Sequence, residues 1–161
     1  MCVYVKCSEL VNEPSDRIEK INTELFTNAY SKKSKKDITC YKVLREPVPG
    51  GSLYRTVIGN IFVTKSELTG NELFCDERDK EIIIDHRKYP DIFAKVSHGF
   101  VQVFIQKTDA VAYKELMSAT HKYNCKIYKC IIPKNTLYFE GVTDRNSISY
   151  AASEIKFIEE V

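Results

Sequence analysis

Cysteines at positions 2, 7, 40, 75, 125 and 130 are the side chains here best suited to hold a metal or to act as nucleophiles. Two close pairs, Cys2 with Cys7 and Cys125 with Cys130, share the spacing C-x4-C. A structural zinc site needs such pairs on tight turns, so that both sulfurs reach one ion. Cys125 and Cys130 fall instead inside "CKIYKCII", which alternates like a strand. Five positions along a strand put two side chains on opposite faces. Cys2 and Cys7 fail in the same way if residues 3–7 are extended. The expected state is therefore small buried thiols and no metal.

Nucleophile–base chemistry would need a histidine brought to a cysteine in space, for example Cys75 with His86 or His98; His121 is equally isolated. No G-x-S-x-G elbow, phosphate-binding glycine loop or dinucleotide fingerprint accompanies them. "DERDKE", 76–81, reads as a solvated loop. No catalytic residue and no cofactor are expected.

Lysine is the other chemical signal. In "KYNCKIYKCIIPKNTLYFEG", 122–141, Lys122, Lys126, Lys129 and Lys134 are interleaved with tyrosines. On a strand over 125–132, Cys125, Ile127, Lys129 and Ile131 share one face; Lys126, Tyr128, Cys130 and Ile132 share the other. The lysines split, leaving Lys122, Lys126 and Lys134 to gather with Tyr128. An RNA-binding platform wants aromatics and cations together on one open face. "SKKSKKD", 31–37, has two readings: a solvated helix end whose cations meet the dipole favourably, or a contact for an anionic ligand.

The elements that position these residues can be read from periodicity. Residues 3–7 alternate as a short strand. "PSDRIEKINTELFTNAY", 14–30, predicts a helix, with Ser15 as N-cap and a stripe of Ile18, Ile21, Leu25, Phe26 and Ala29. "ITCYKVLRE", from 38, predicts a strand. "LYRTVIGNIFVTK", 53–65, predicts a hairpin around Gly59-Asn60 or one bulged strand. "SELTGNE" is a turn or single helical turn, "EIIIDH" a buried strand, and 87–99 irregular. "FVQVFIQ", 100–106, is a strand with Phe100, Gln102, Phe104 and Gln106 on one face. "TDAVAYKELMSATHKY" is a second helix, with Thr108 as N-cap, Ala112, Leu116, Ala119 and Tyr123 as its stripe, and Asn124 ending it. Strands 125–132, "TLYFEG" and "EIKFIEEV" follow, the last two separated by a turn-rich stretch. The expected fold is α+β: one domain, two main helices packed on a bent, mostly antiparallel sheet of seven to nine strands. Within 1–161, residues 1–37 supply a strand and helix, and 38–161 a sheet with one inserted helix.

Composition agrees with a globular chain: 161 residues, 43% hydrophobic, 29% charged. A net charge of +2, from 24 basic and 22 acidic side chains, argues against a general polyanion binder. No apolar run is long enough for a membrane span. The N-terminus reads without a secretory signal, so a cytoplasmic location with reduced thiols is expected.

The segment "KCIIPKNTLYFEG…SYAASEIKFIEEV" resembles an ending found in small uncharacterised bacterial and phage proteins. There a strand runs into I-P-K-G-T, an aromatic pair, a Gly and a Y-A-S turn before the last strand. With "GFVQVFIQKTDAVAYKEL" ahead of it, the resemblance spans residues 99–161. The ending is also similar to the last strands of ADP-ribosyltransferase domains. That likeness implies an arginine on an early strand, Arg55 or Arg45, and a nicotinamide pocket near Arg55, His98 or Tyr113. The family's Ser-Thr-Ser strand and Glu-x-Glu pair have no counterpart here, and Asn135 stands at the usual turn glycine.

Three functions are expected from these readings, the third being direct RNA binding through the lysines. The first is a non-enzymatic binding protein of phage or mobile-element type, an inhibitor of a host defence protein or protein–RNA complex. Its contacts would be Lys32, Lys33, Lys35, Lys36, Tyr54, Lys126 and Tyr128, because tyrosine gives large contact area at low entropy cost. The alternative is an NAD-binding protein on an ADP-ribosyltransferase-like scaffold.

Overall fold

A computed structural model describes residues 2–7, 18–85 and 93–161. Along the chain these form β1 (Val3–Lys6), β2 (Ile18–Lys20), α1 (Thr23–Tyr30), β3 (Lys32–Lys33), β4 (Ile38–Arg45), β5 (Tyr54–Thr56), β6 (Phe62–Val63) and α2 (Lys65–Leu68). They continue as β7 (Glu81–Asp85), β8 (Phe93–His98), β9 (Val101–Phe104), α3 (Lys107–His121), β10 (Cys125–Ile132), β11 (Leu137–Val142), β12 (Ile148–Ala152) and β13 (Lys156–Glu160). All thirteen strands join one antiparallel sheet, ordered β13-β10-β4-β9-β12-β11-β1-β8-β7-β2, with β3 on β11 and the β5–β6 pair on β4. The class is α+β, with three helices among the described residues.

The longest ladder joins β10 to β4 without a break, from Cys125 opposite Arg45 to Ile132 opposite Ile38. Side chains alternate as the period-two reading requires. Cys125 and Ile127 pack with Val43, Phe104, Ala110 and Met117 beneath α3. Tyr128, Cys130 and Ile132 pack on the other face with Cys40, Leu44, Phe74, Ile155 and Phe157. A third cluster, of Val3, Val5, Phe26, Val96, Phe100 and Phe139, fills the β1–β8 end.

Several sequence expectations are corrected. The helix over 14–30 starts late. Ile18–Lys20 pairs with β7, and α1 begins after Asn22, whose Oδ1 accepts from Leu25 N at 3.2 Å. Strand addition overrides the apolar stripe: Phe26 is buried, while Leu25 is 69% exposed. The expected cap Ser15 lies outside the described residues. The lysines after α1 do not form a solvated helix end, since its last turn holds no basic residue. Lys32–Lys33 pairs with Leu137 and Tyr138. Ser34 is buried, accepting from Thr136 N (2.8 Å) and donating to the Pro133 carbonyl (2.6 Å).

Residues 93–98, read as irregular, form β8, with Ala94 and Val96 inward. The Y-A-S segment, read as a turn, is strand β12. Its inward Ser149 satisfies its hydroxyl on the Val103 carbonyl at 2.7 Å. Ser and Ala carry little strand propensity, so packing alone reveals that element. Helix α3 is rotated from its expected stripe: Ala110 and Met117 are buried, Leu116 and Tyr123 flank them, and Ala112 and Ala119 are exposed. Its N-cap is Gln106, without a side-chain cap bond, and Lys122 rather than Asn124 takes the left-handed conformation (φ 55°). The hairpin joins Thr56 N to the Ile61 carbonyl across a longer loop, with Gly59 and Asn60 both at positive φ.

β1 crosses β11 very closely at Gly141. A Cβ there would collide with the Tyr4 carbonyl oxygen and lie 2.6 Å from the Val3 side chain. We expect Gly141→Ala to lower stability by about 1–3 kcal/mol, as overpacking does in close-packed interiors. Urea denaturation measures it, and an unchanged midpoint would contradict this packing.

Candidate functional site

A strand has two edges. β10 occupies one edge of β4 completely. The other edge is divided: Tyr41 pairs with Phe104 of β9, while Leu44 and Arg45 pair with Thr56 and Arg55 of β5. Between those contacts β9 and β5 part, and a cleft opens at Lys42 and Val43. Its volume is about 40 Å³; polar groups on its walls come from Lys42, Thr56, Asp76, Arg78, Ser97 and Gln102, and apolar ones from Val43, Phe100, Phe104 and Tyr113. Ile58, Phe104 and Tyr113 also border a second groove of about 230 Å³, between α3, the N-terminal strand and the turn at 143–147.

Lys42 is half-buried, and its Nζ donates to the Gln102 carbonyl oxygen at 2.6 Å. Burial disfavours the charged amine and pushes its pKa down to about 8, against the opposing pull of Cys130, Cys40, Asp76 and Cys2. Asp76 is 7% exposed. Burial alone would raise its pKa, but hydrogen bonds outweigh that and hold it below the usual range. They come from Arg78 Nη2 (2.7 Å), Arg78 Nε (3.0 Å), Arg78 N (3.0 Å) and Gly99 N (3.2 Å). Gln102 is also 7% exposed; its Nε2 donates to the Val96 carbonyl at 2.9 Å, while its buried Oε1 has no partner. The cleft therefore brings an amine and a fixed ion pair beside Phe100, Phe104 and Tyr113.

Sequence reasoning did not single out Lys42, Asp76, Arg78 or Gln102 as site residues. A faint signal existed. Lys42 interrupts an apolar alternation with Cys40 and Leu44, and Gln102 shares its expected face with Phe100 and Phe104.

The expected contact residues do not converge. Lys32 pairs with Glu140 at 2.9 Å. Lys33, Lys35 and Lys36 are exposed beside the turn after β10. At the opposite end of that strand, Lys126 sits between Glu160 (2.9 Å) and Glu46 (3.6 Å). Tyr128 is 7% exposed, under Phe157 and half-buried Tyr54. Burial lifts its phenol pKa to about 12. Lys122 and Lys134 likewise stand at opposite ends of β10 and form no cluster with Tyr128.

Of the residues placed near a nicotinamide pocket, Tyr113 borders both cavities, whereas Arg55 and His98 border neither. Arg45 stacks on Tyr123, 3.7 Å from the ring centre. Cys125 and Cys130 face opposite sides of the sheet. Cys40 lies directly across from Cys130, with both thiols reduced and their pKa values raised by burial. Among the described residues, no three His, Cys, Asp or Glu side chains are grouped to hold a metal ion. No described helix is long and apolar enough to cross a membrane.

The lowered Lys42 pKa has a signed consequence. Below about pH 8 the amine is protonated in both folded and unfolded chains, and the cost of burying the charge is fully present. Between about 8 and the ordinary value of 10.5 the folded chain sheds the proton first, so folded stability rises with pH. Lys42→Met removes this dependence. Relative to that variant, the wild-type chain should gain at most roughly 3 kcal/mol across that window, read by chemical denaturation at several pH values. Parallel profiles would refute the burial of charge at Lys42. Comparison of the chain with protein-family models, curated proteins and solved structures returned no match.

Proposed function

We propose that this chain is a non-enzymatic binding protein of phage or mobile-element type that works by occupying a surface of a host protein or protein–RNA complex, with inhibition of a defence system as its effect. The supporting observation is the apolar surface around the β5–β6 hairpin. Phe62 is 56% exposed and Ile58 47%, with Val48 at 54% and Leu53 at 39% on the loop before the hairpin. Exposed apolar side chains concentrated on one element mark an interaction surface when they form a contiguous patch. Phe62 borders an open groove of about 560 Å³ whose rim carries Glu67, Glu72, Glu77 and Arg78. An aromatic anchor within a charged rim is the usual make-up of a binding hot spot. Half-buried Tyr54, on β5 itself, supplies a peripheral contact, while the exposed Lys33, Lys35 and Lys36, near the opposite end of β4, steer encounter rather than hold the complex.

A second reading, the ADP-ribosyltransferase-like NAD-binding protein, is favoured by the opening between β9 and β5 and by Tyr113 at the junction of its two cavities. The similarity of the C-terminal ending to the last two strands of that family supports the same reading. NAD at millimolar concentration should then raise the melting temperature by an amount matching about 1 kcal/mol or more; an unmoved transition removes this reading.

For the first reading, affinity capture from the natural host is run with the wild-type chain and with Phe62→Asp. The wild type should retain one partner in stoichiometric amount, and Phe62→Asp should lose it while keeping the native melting temperature. Recovery of the wild type at monomer mass from several hosts, or equal capture by the variant, overturns it.

A further inference from the structure

The groove below Phe62 carries an inference that rests on the binding-protein reading and names the chemistry of the partner. We propose that it docks a basic protein segment, in which lysine or arginine side chains flank an apolar one.

Three observations define the occupant. The first is charge. Glu67, Glu72, Asp76 and Glu77 line the groove, and Arg78 is the single cation among the described residues that do so. Arg78 is already claimed: Nη2 and Nε hold the Asp76 carboxylate at 2.7, 3.0 and 3.2 Å. Once that pair cancels, Glu67, Glu72 and Glu77 remain as surplus negative charge. Glu67 spends one oxygen, Oε1, on the Thr64 N–H at 2.8 Å, which fixes its carboxylate at the rim. Glu72 and Glu77 are exposed, and neither enters an ion pair among the described residues.

The second is convergence. Cys75 stands half-buried in the wall of the groove. Its thiol pKa is raised, first by burial and then by the negative charges of Glu77, Glu67, Glu154 and Asp76. Those carboxylates come from three stretches of chain: α2, the loop around Asp76, and Glu154, which the bridge from Phe74 to Ile155 brings alongside. One sulfur that senses all of them marks where their fields overlap. Such a field draws in cations and repels phosphate.

The third is the anchor. Phe62 borders the same groove and is 56% exposed. A metal ion or a polyamine would meet the carboxylates and leave that ring in water. A protein segment with an apolar side chain between its cations covers both, and a groove of about 560 Å³ has room for a few side chains. The chain's own lysine strip, "SKKSKKD", holds no apolar side chain to set against Phe62, so a second copy is the poorer fit.

Fluorescence anisotropy of the full chain with three labelled heptapeptides tests the proposal. The first is Lys-Leu-Lys-Leu-Lys-Leu-Lys, the second has glutamate for each lysine, and the third has serine for each leucine. The first should bind about tenfold tighter than either of the others. Glu72→Gln/Glu77→Gln should weaken it about three- to tenfold, the worth of two exposed ion pairs, and flatten its salt dependence. Phe62→Ser should weaken it about tenfold. Glu24→Gln/Glu115→Gln removes the same charge from exposed positions on α1 and α3 and should bind as the wild type does. Glu67 is left in place because it caps α2. Equal affinity for the three peptides, unchanged binding in Glu72→Gln/Glu77→Gln, or an equal loss in the control pair would overturn the proposal. The binding-protein reading would still stand wherever Phe62→Asp loses its captured partner. Peptide discrimination beside a wild type recovered alone from its hosts removes that reading instead, and upholds the basic preference of the groove. A wild-type dimer in light scattering that Glu72→Gln/Glu77→Gln abolishes would seat a second copy there and overturn the proposal. Binding of a labelled uridine decamer that Phe62→Ser weakens would seat nucleic acid there, with the same result.

Discussion

β4 has one edge left to share, and much of the fold follows from how it is shared. Its ladder to β10 is complete, and side chains of both strands pack on both faces: under α3 on one side, and against Phe74, Ile155 and Phe157 on the other. A central pair of this kind takes the apolar alternation that makes "ITCYKVLR" and "CKIYKCII" easy to recognise. The remaining edge of β4 must then serve both β9 and the hairpin β5–β6. The two cannot lie side by side there, and the sheet divides. The division leaves the middle of β4 without a backbone neighbour on that side. The Lys42 amine takes up the Gln102 carbonyl instead, a side chain doing what a strand would otherwise do. A single backbone constraint thus accounts for the cleft, the lysine inside it and the lowered affinity of that lysine for its proton.

The surface charges follow a different logic. The two lysine-rich stretches are tethered to neighbouring structure rather than gathered. Lys32 and Lys126 each have a glutamate at 2.9 Å, and exposed pairs of this kind contribute little to stability. Their effect here is to neutralise two of the cations that sequence reading offered as contacts. Lys33, Lys35 and Lys36 stay exposed, but Ser34 between them is locked onto the turn at 133–136 and fixes where they stand. Tyr138, the aromatic paired with Lys32, is buried, so this cationic strip suits steering better than a nucleic-acid platform.

The strongly periodic elements were legible in sequence. The strand at 125–132 appears with its predicted boundaries and its predicted division of faces, and the helix after residue 106 is present. Three things hid the rest. A helical stripe at 18–29 lost to strand pairing with β7, a long-range contact that local periodicity does not register. β8 and β12 place Ala and Ser inward, and such residues look like turn. The cleft was hidden for a deeper reason. Lys42, Asp76, Gln102 and the apolar floor come from four separate stretches, and only the division of β4 between two partners brings them together. One lysine inside a strand pattern is visible in sequence; the strand that parts beside it is not.

Size then orders what each surface can do. A cleft of about 40 Å³ accepts a few heavy atoms, whereas drug-sized molecules occupy several hundred. A dinucleotide would have to lie mainly in the groove beside α3, with only a small polar end reaching Lys42. The groove below Phe62 is larger and shallower, and its exposed aromatic is the sort of anchor that a protein partner buries. The Asp76–Arg78 pair lines both cavities. A partner covering Arg78 would dehydrate that pair from the outside. Opposite charges interact more strongly as water is removed. Occupation of the outer groove would therefore tighten the Asp76–Arg78 contact.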